Sequence, residues 1–297
     1  MITVFLTGGL GNQMFQYAAG KILAERIGKH LVLDISLLNV RSKNTTPRNY
    51  ELHCFALNKN IKVVSSKLKG VLLKKLYHHI RGNTLIGRKI KKWFSIFADK
   101  QAVTFAPQFL QLQHKVKLLG YFQSEQYFSE NETVIRDSFT FEQDFSEKNK
   151  EIAEDIKNCN AVSLHIRRGD YVHNKNAAQA FVSCSKEYYE EAIAYICERV
   201  ESPRFFIFSD EPEEIKEMFP SLNAVYINGN TGATSFNDMH LMSLCKHNIM
   251  ANSSFSWWGA WLNNNTEKIV IAPKKWVKNE ISNNNIKDLI PQKWIRL

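Results

Sequence analysis

The stretch ITVFLTGGLGNQMFQYAAGKILAERIGKHLVLD, Ile2 to Asp34, decides the fold class. Ile2 to Leu6 is a short β-branched and aromatic run, which reads as a buried strand. Gly8, Gly9 and Gly11 punctuate it, and Met14, Phe15, Ala18, Ile22, Leu23 and Ile27 then recur at helical spacing. Gly28 stops that helix, and His30 to Leu33 reads as a second strand closed by Asp34. Strand, glycine turn, helix, strand is a βαβ opening.

The alternation returns further along the chain. Ala161 to Ile166 reads as a strand, Lys186 to Val200 as a helix, Arg204 to Phe208 as a strand running into Ser209 and Asp210, and Glu213 to Phe219 as a helix. Ala224 to Ile227, Met239 to Cys245, Asn248 to Met250, Trp257 to Leu262 and Ile269 to Ile271 continue it. The reading is two α/β halves, 1–150 and 151–297, joined in the charged, polar stretch Phe139 to Lys150. The 297 residues leave room for such a pair, and 44% hydrophobic content supports a real core, which excludes the disordered and fibrous classes. Five cysteines, odd in number and without a C-x-x-C pair, point to neither a disulfide scaffold nor a structural zinc site. A reducing compartment fits that usage. No apolar run reaches the ~18 residues of a membrane-crossing helix, and Ile2 to Leu6 lacks the features of a signal peptide. The expectation is a soluble cytoplasmic protein.

The net charge of +10 is concentrated. Between Glu51 and Asp99 there is no acidic residue, whereas Lys59, Lys62, Lys67, Lys69, Lys74, Lys75, Arg81, Arg88, Lys89, Lys91 and Lys92 all fall there. Val71, Leu72, Lys75, Leu76 and His79 keep near-helical spacing, so residues 59–100 read as a basic helical insertion. Two readings stand: residues 59–92 lie peripherally on an anionic membrane surface, at its inner face, or they form the solvated outer face of a helical subdomain.

Gly9, Gly11 and the later acid Asp34 imitate a dinucleotide fingerprint, but Met14 occupies the third glycine position. No P-loop pattern exists either. One reading of the glycines is a tight turn needing positive φ. The other adds Gly11, Asn12 and Gln13 at a helix start, where side-chain amides and unpaired N–H groups suit hydroxyls and anions. A stronger signal is Ser163-Leu164-His165-Ile166-Arg167-Arg168-Gly169-Asp170-Tyr171. Alternation aims His165 and Arg167 to one side at the carboxyl end of a strand, where open α/β sheets bind ligands. Two guanidinium groups beside a carboxylate suit a diphosphate, against the alternative of a surface ion pair. Ser253, Ser254, Phe255 and Ser256, just before a helix, make another anion cradle, with Trp258 and Trp261 as helix core. The Asp238 carboxylate is of a kind to accept two hydrogen bonds from the N1–H and N2–H₂ edge of guanine.

These motifs together resemble the bacterial α-1,2-fucosyltransferases. The carriers are Gly8-Gly9-Leu10-Gly11-Asn12-Gln13-Met14-Phe15-Gln16-Tyr17, His165-Ile166-Arg167-Arg168-Gly169-Asp170-Tyr171, Phe208-Ser209-Asp210-Glu211 and Ser253-Ser254-Phe255-Ser256-Trp257-Trp258-Gly259, in the family's order and spanning Gly8 to Trp261. The resemblance implies a GT-B-like fold of two Rossmann-like domains facing a cleft, with an N-terminal acceptor-side domain and a C-terminal domain for the donor. It implies GDP-β-L-fucose as donor and transfer to the 2-hydroxyl of a terminal galactoside with inversion, in surface polysaccharide (O-antigen) synthesis. Carried over, Arg167 binds the β-phosphate and stabilises the leaving GDP, and His165 and Asp238 hold the nucleoside. Ser254, Phe255 and Ser256 line the pyrophosphate, Asn12 lies beside the diphosphate or the fucose, and Arg168 belongs to the same block.

The leaving diphosphate builds negative charge, so a fixed cation there favours the transition state. Many sugar-nucleotide enzymes hold a metal through Asp-x-Asp for this, and no Asp-x-Asp occurs in the chain. The expectation is therefore an arginine in place of a metal, no cofactor, and no nucleic-acid partner. Asp170 is the candidate base for the acceptor proton, against orienting Arg168 or a transition state dissociative enough to need no base. An NAD-dependent oxidoreductase and a non-catalytic binder of anionic polymer remain the competing readings.

Overall fold

The computed structural model describes residues 1–40, 48–57, 61–82, 84–167, 183–277 and 286–297. The chain divides into two compact units, Met1–Glu142 with Lys287–Leu289, and Gln143–Ile286 with Ile290–Leu297.

The first unit is built on β1 (Ile2–Phe5), α1 (Leu10–Arg26), β2 (Leu31–Asp34), β3 (Lys62–Val64), α2 (Lys67–Arg81), α3 (Leu85–Phe94), β4 (Ile96–Ala98), β5 (Lys117–Leu119) and α4 (Glu132–Ser138). Its five strands are parallel in the order β3-β2-β1-β5-β4. The expected βαβ opening is there: β1 and β2 pair in register from Ile2 and Leu31 to Phe5 and Asp34. Gly8 sits at φ +80°, so the first glycine serves the tight turn, and a Cβ there would meet the Asn12 side chain at 2.4 Å. Met14, at the supposed third glycine, is fully buried core.

The basic segment forms two helices, as a helical insertion would. Ser66 and Thr84 cap them, each side chain accepting a hydrogen bond from the N–H three residues on, Lys69 and Gly87. Their inward residues Leu73, Ile80, Leu76, Tyr77 and Ile90 pack with Phe5, Ile96 and Leu119 of the sheet. Lys69 ties α2 to the fully buried Asp34 at the end of β2 and lies over the Phe5 ring at 5.1 Å. Gly87 lets α3 approach α2, since a Cβ there would stand 1.9 Å from the His79 carbonyl oxygen.

The second unit contains α5 (Glu147–Lys157), β6 (Asn160–Ile166), α6 (Lys186–Cys197), β7 (Pro203–Ser209), α7 (Pro212–Met218), β8 (Ala224–Ile227), α8 (Phe236–Leu244), β9 (His247–Ile249), α9 (Ser254–Leu262), β10 (Val270–Ala272) and β11 (Ile295–Arg296). Its six strands are all parallel in the order β11-β10-β9-β6-β7-β8. The largely apolar β6 and β7, Phe205 to Phe208 without a break and β6 broken only by Ser163 and His165 between Ala161 and Ile166, follow from burial on both faces. Val162, Leu164, Ile166, Phe205 and Ile207 pack against Tyr188, Tyr189, Ala192 and Ile196 of α6. The alternate residues Ala161, Phe206 and Phe208 pack against Leu241 and Met242 of α8 and Ala153 and Ile156 of α5. A buried polar chain ties β6 to β9: the Asn248 amide donates to Ser163 Oγ at 2.7 Å, and Asn263 donates to Asn248 Oδ1 at 2.8 Å. No helix among the described residues is long and apolar enough to cross a membrane.

Candidate functional site

Both sheets start in the middle. In the second unit the chain lays down β6, adds β7 and β8 on one side, then returns to place β9, β10 and β11 on the other. The direction of winding reverses between β6 and β9, and at such a switch point the loops leaving the two strands part to form a crevice. Arg167 is the first residue past β6, and Ser253 caps the helix α9 that follows β9. The two meet there, Arg167 Nη1 donating to Ser253 Oγ at 3.4 Å. The same Ser253 oxygen accepts from the Phe255 N–H at 3.2 Å. A guanidinium therefore faces a helix N-terminus, and both favour an anion between them.

His165 lies on the same side as Arg167, with its ring 6.0 Å from that of Phe255. Burial lowers its pKa to about 4, the Arg167 charge adding to the effect and Asp210 opposing it. The ring is neutral at ordinary pH, and its buried Nδ1 has no hydrogen-bond partner among the described residues. Tyr189 on α6 fixes the strand end by donating its hydroxyl to the His165 carbonyl at 3.2 Å. The serine loop is held from outside by Asn252, whose amide donates to the Trp276 carbonyl at 2.9 Å. Ser256 donates within the loop, to the carbonyls of Ala251 and Ser253, both at 3.3 Å. Its buried hydroxyl braces the cradle, where the sequence suggested a pyrophosphate contact, whereas Ser254 and Phe255 are half-buried. Trp257, Trp258 and Trp261 are core: Trp257 stacks on Trp261, Trp258 meets both edge to face, and Trp294 lies tilted against Trp257.

Asp238 stands in the first turn of α8, at the carboxyl end of β8 on the same sheet. Burial raises its pKa to about 6, against a hydrogen bond from Asn230 Nδ2 at 2.8 Å that lowers it. Asn230 and Asn149 exchange amide hydrogen bonds of 2.9 and 3.2 Å, and His240, two residues on from Asp238, stacks on Phe145 at 4.2 Å. Asn149, Asn230 and Phe145 carried no motif in the sequence; the fold brings Asn230 onto Asp238, Asn149 onto Asn230 and Phe145 onto His240.

The first unit has its own switch point, between β1 and β5. There Gln123, past β5, donates to Asn12 Oδ1 at 2.7 Å. Two sequence expectations change at this helix start. The α1 N-terminus already holds an anion of the protein, since the Leu10 N–H donates to Glu51 Oε2 at 2.7 Å. Gln13 is fully buried and committed: its amide donates to the carbonyls of Gly8 and Asn49 at 2.9 and 2.8 Å and accepts from the Glu51 N–H at 3.0 Å. Gln13 thus fastens residues 49–51 to the glycine turn, and with both amide protons spent it has none left for a substrate. The neighbouring Gly11 is buried as well. Replacing Gln13 by Leu strands these backbone groups, at ~1–3 kcal/mol each. The thermal midpoint should fall by several degrees with GDP affinity unchanged, and the reverse pattern would return Gln13 to a ligand role.

Arg168, Gly169, Asp170 and Tyr171 lie outside the described residues. Among the described residues no group of three or more His, Cys, Asp or Glu side chains is placed to hold a metal ion.

Comparison with known proteins agrees with the architecture. An α-1,2-colitosyltransferase of Escherichia coli is 36% identical over 100% of this chain and 99% of its own length. The Escherichia coli O-antigen biosynthesis glycosyltransferase WbnK is 34% identical over 98% of this chain and 99% of its own. The structure of the α-1,6-fucosyltransferase NodZ co-crystallised with GDP, a protein of Bradyrhizobium, aligns with TM-score 0.50 at 12% identity, covering 88% of this chain and 91% of that one. The two parallel α/β units have the GT-B fold of that neighbour. The family model of glycosyl transferase family 11 matches residues 1–297, from the first strand to the last, and the chain belongs to that family.

Proposed function

We propose that the protein transfers L-fucose from GDP-β-L-fucose to the 2-hydroxyl of a terminal galactoside with inversion, in the assembly of an O-antigen. The observation that carries this reading is the Arg167–Ser253 pair across the β6/β9 switch point, a fixed fork of donors opposite a helix N-terminus. Such a site suits a diphosphate, and in this reading the second unit is the donor domain and the first the acceptor domain. Arg167 holds the β-phosphate, and the α9 N-terminus with Ser253, Ser254 and Phe255 takes the remaining oxygens. Neutral His165 offers an uncharged partner to the nucleoside, and Asp238 receives the guanine edge. Asn12, kept in place by Gln123, belongs beside the diphosphate or the fucose. As the glycosidic bond to the diphosphate lengthens, charge accumulates on the leaving oxygen, and the preset guanidinium stabilises that state more than the ground state. Asp170, of the same sequence block as Arg168, is the candidate to take the acceptor proton. The reading requires no metal or other cofactor.

The relatives support the linkage and the setting: one is named for α-1,2 transfer and the other for O-antigen biosynthesis. They also favour a second donor sugar, since the first transfers colitose, the 3-deoxy analogue of fucose. Purified protein should be given GDP-fucose or its 3-deoxy analogue with a panel of β-galactosides, and the products analysed for linkage by NMR. An α-linked product at the galactose 2-hydroxyl is expected from fucose. Preference for the 3-deoxy donor selects the second reading, and transfer to another hydroxyl, or none, overturns both.

A further inference from the structure

Ten large hydrophobic side chains are exposed among the described residues, and eight of them, Val63, Leu68, Val71, Leu72, Leu85, Ile86, Trp93 and Phe94, fall between residues 63 and 94. On α2, Leu68, Val71, Leu72, Lys75 and His79 follow i, i+3, i+4, i+7, i+11 and form one stripe, opposite the inward Leu73, Tyr77 and Ile80. On α3, Leu85, Ile86, Lys89 and Trp93 form a second stripe, away from the inward Gly87 and Ile90. Trp93 is 85% exposed and Leu68 86% exposed. A water-facing helix surface is ordinarily polar, so two stripes of this kind require an occupant.

The charge identifies it. Lys67, Lys75, Arg88, Lys89 and Lys92 border the apolar side chains, and no acid stands between Glu51 and Asp99. A second copy of the chain would bring like charge against like charge at this face. Leu68, Leu85 and Ile86 offer nothing for a polyanion to hydrogen-bond. Aliphatic and tryptophan side chains ringed by lysine and arginine instead match a bilayer interface, with apolar groups entering the acyl boundary and cations at anionic headgroups. We propose that α2 and α3 dock the protein on an anionic lipid surface, with Leu85, Ile86 and Trp93 inserted. Lys69 bound to Asp34, and Gly87 in close contact with α2, give this surface a rigid seat on the first sheet.

The test uses the sequence itself, because Trp257, Trp258, Trp261, Trp276 and Trp294 are buried and Trp93 alone of the six tryptophans is exposed. Full-length protein is mixed with vesicles of pure phosphatidylcholine or of phosphatidylcholine with phosphatidylglycerol. With the anionic vesicles it should co-sediment, its emission should shift to shorter wavelength, and brominated acyl chains should quench it. Binding should drop at least about tenfold as added salt rises from 0.1 to 0.5 M, which shortens the screening length to a few ångströms. Trp93→Glu should lose binding about tenfold or more, and the separate charge variant Lys89→Gln with Lys92→Gln should lose it comparably at low salt, both melting as the parent does. Co-sedimentation that ignores lipid charge or survives both variants overturns the proposal. So does absence of vesicle binding, whether α2 and α3 then prove to mediate a dimer in sedimentation equilibrium, to bind an oligonucleotide, or to do neither.

Discussion

Arg167→Lys is expected to lower turnover on the order of 10²-fold at saturating donor, although the positive charge is kept. Lysine is a point charge on a flexible stem, whereas the guanidinium presents donors in a fixed plane. The difference matters here because the arginine is already placed: it follows the last residue of β6, is bonded to Ser253 at 3.4 Å, and flanks His165, whose ring its charge helps keep neutral. A lysine would have to find that position during the reaction, and losing one preorganised donor to a developing oxyanion costs ~3 kcal/mol in other enzymes. Single-turnover rates with GDP-fucose, alongside GDP affinity by calorimetry, separate the outcomes. A rate loss much larger than the affinity loss supports the assignment. Activity should also survive EDTA. A near-normal rate in the lysine variant together with strict dependence on added Mg²⁺ or Mn²⁺ would move the leaving-group charge from arginine to a metal.

How much of this site was legible in the sequence depended on whether a residue's neighbours were local. Arg167 and His165 could be placed because they sit at the end of the largely apolar β6, and the serine loop because its hydroxyls precede a strongly apolar helix; strand ends of parallel sheets are where ligands bind. The α/β alternation of the second half was legible for the same reason: β6 and β7 are buried on both faces and read as largely apolar segments. The three-residue strands β3, β4 and β5 were not, because Lys62–Val64 and Ile96–Ala98 are edge strands of a pattern too short to show alternation. The basic stretch read as helical from the spacing of Val71 to His79, but the start of a second helix at Thr84 did not show, because it is set by the Thr84 cap and by the packing of α3 on α2. Gln13 misled for another reason. A buried amide and a ligand-binding amide look identical in a sequence, and its carbonyl partner Asn49 lies far along the chain. Asn149 and Gln123 were invisible because their partners, Asn230 and Asn12, lie 81 and 111 residues away.

Asp238→Asn should make the empty protein more stable and its nucleotide complex weaker. Asp238 has a folded-state pKa of about 6, above the ordinary carboxylate value of 3.8, because burial disfavours the charged form. A carboxyl raised in this way contributes stability that is full below about 3.8 and is lost as pH rises through about 6. Two units at 1.36 kcal/mol each make the cost of holding the charge above that pH roughly 3 kcal/mol. The asparagine carries no charge and can still accept from Asn230, so the variant should melt several degrees higher at neutral pH, the gain vanishing near pH 4. In the proposed function the buried charge is kept for a ligand that needs it. Guanine offers two donors on one edge, and their charge-assisted bonds to the carboxylate are worth ~1.5–3 kcal/mol each. GDP affinity in the variant should therefore fall at least about tenfold, with the preference for GDP over IDP, which lacks the N2 amino group, reduced. In the parent protein GDP affinity should decline as pH drops through about 6, where the carboxylate is neutralised, and the variant should lack that step. Calorimetry across this range decides the matter. Unchanged GDP affinity in a stabilised variant would leave Asp238 as a structural acid of the Asn149–Asn230 network and place the guanine elsewhere on the sheet edge.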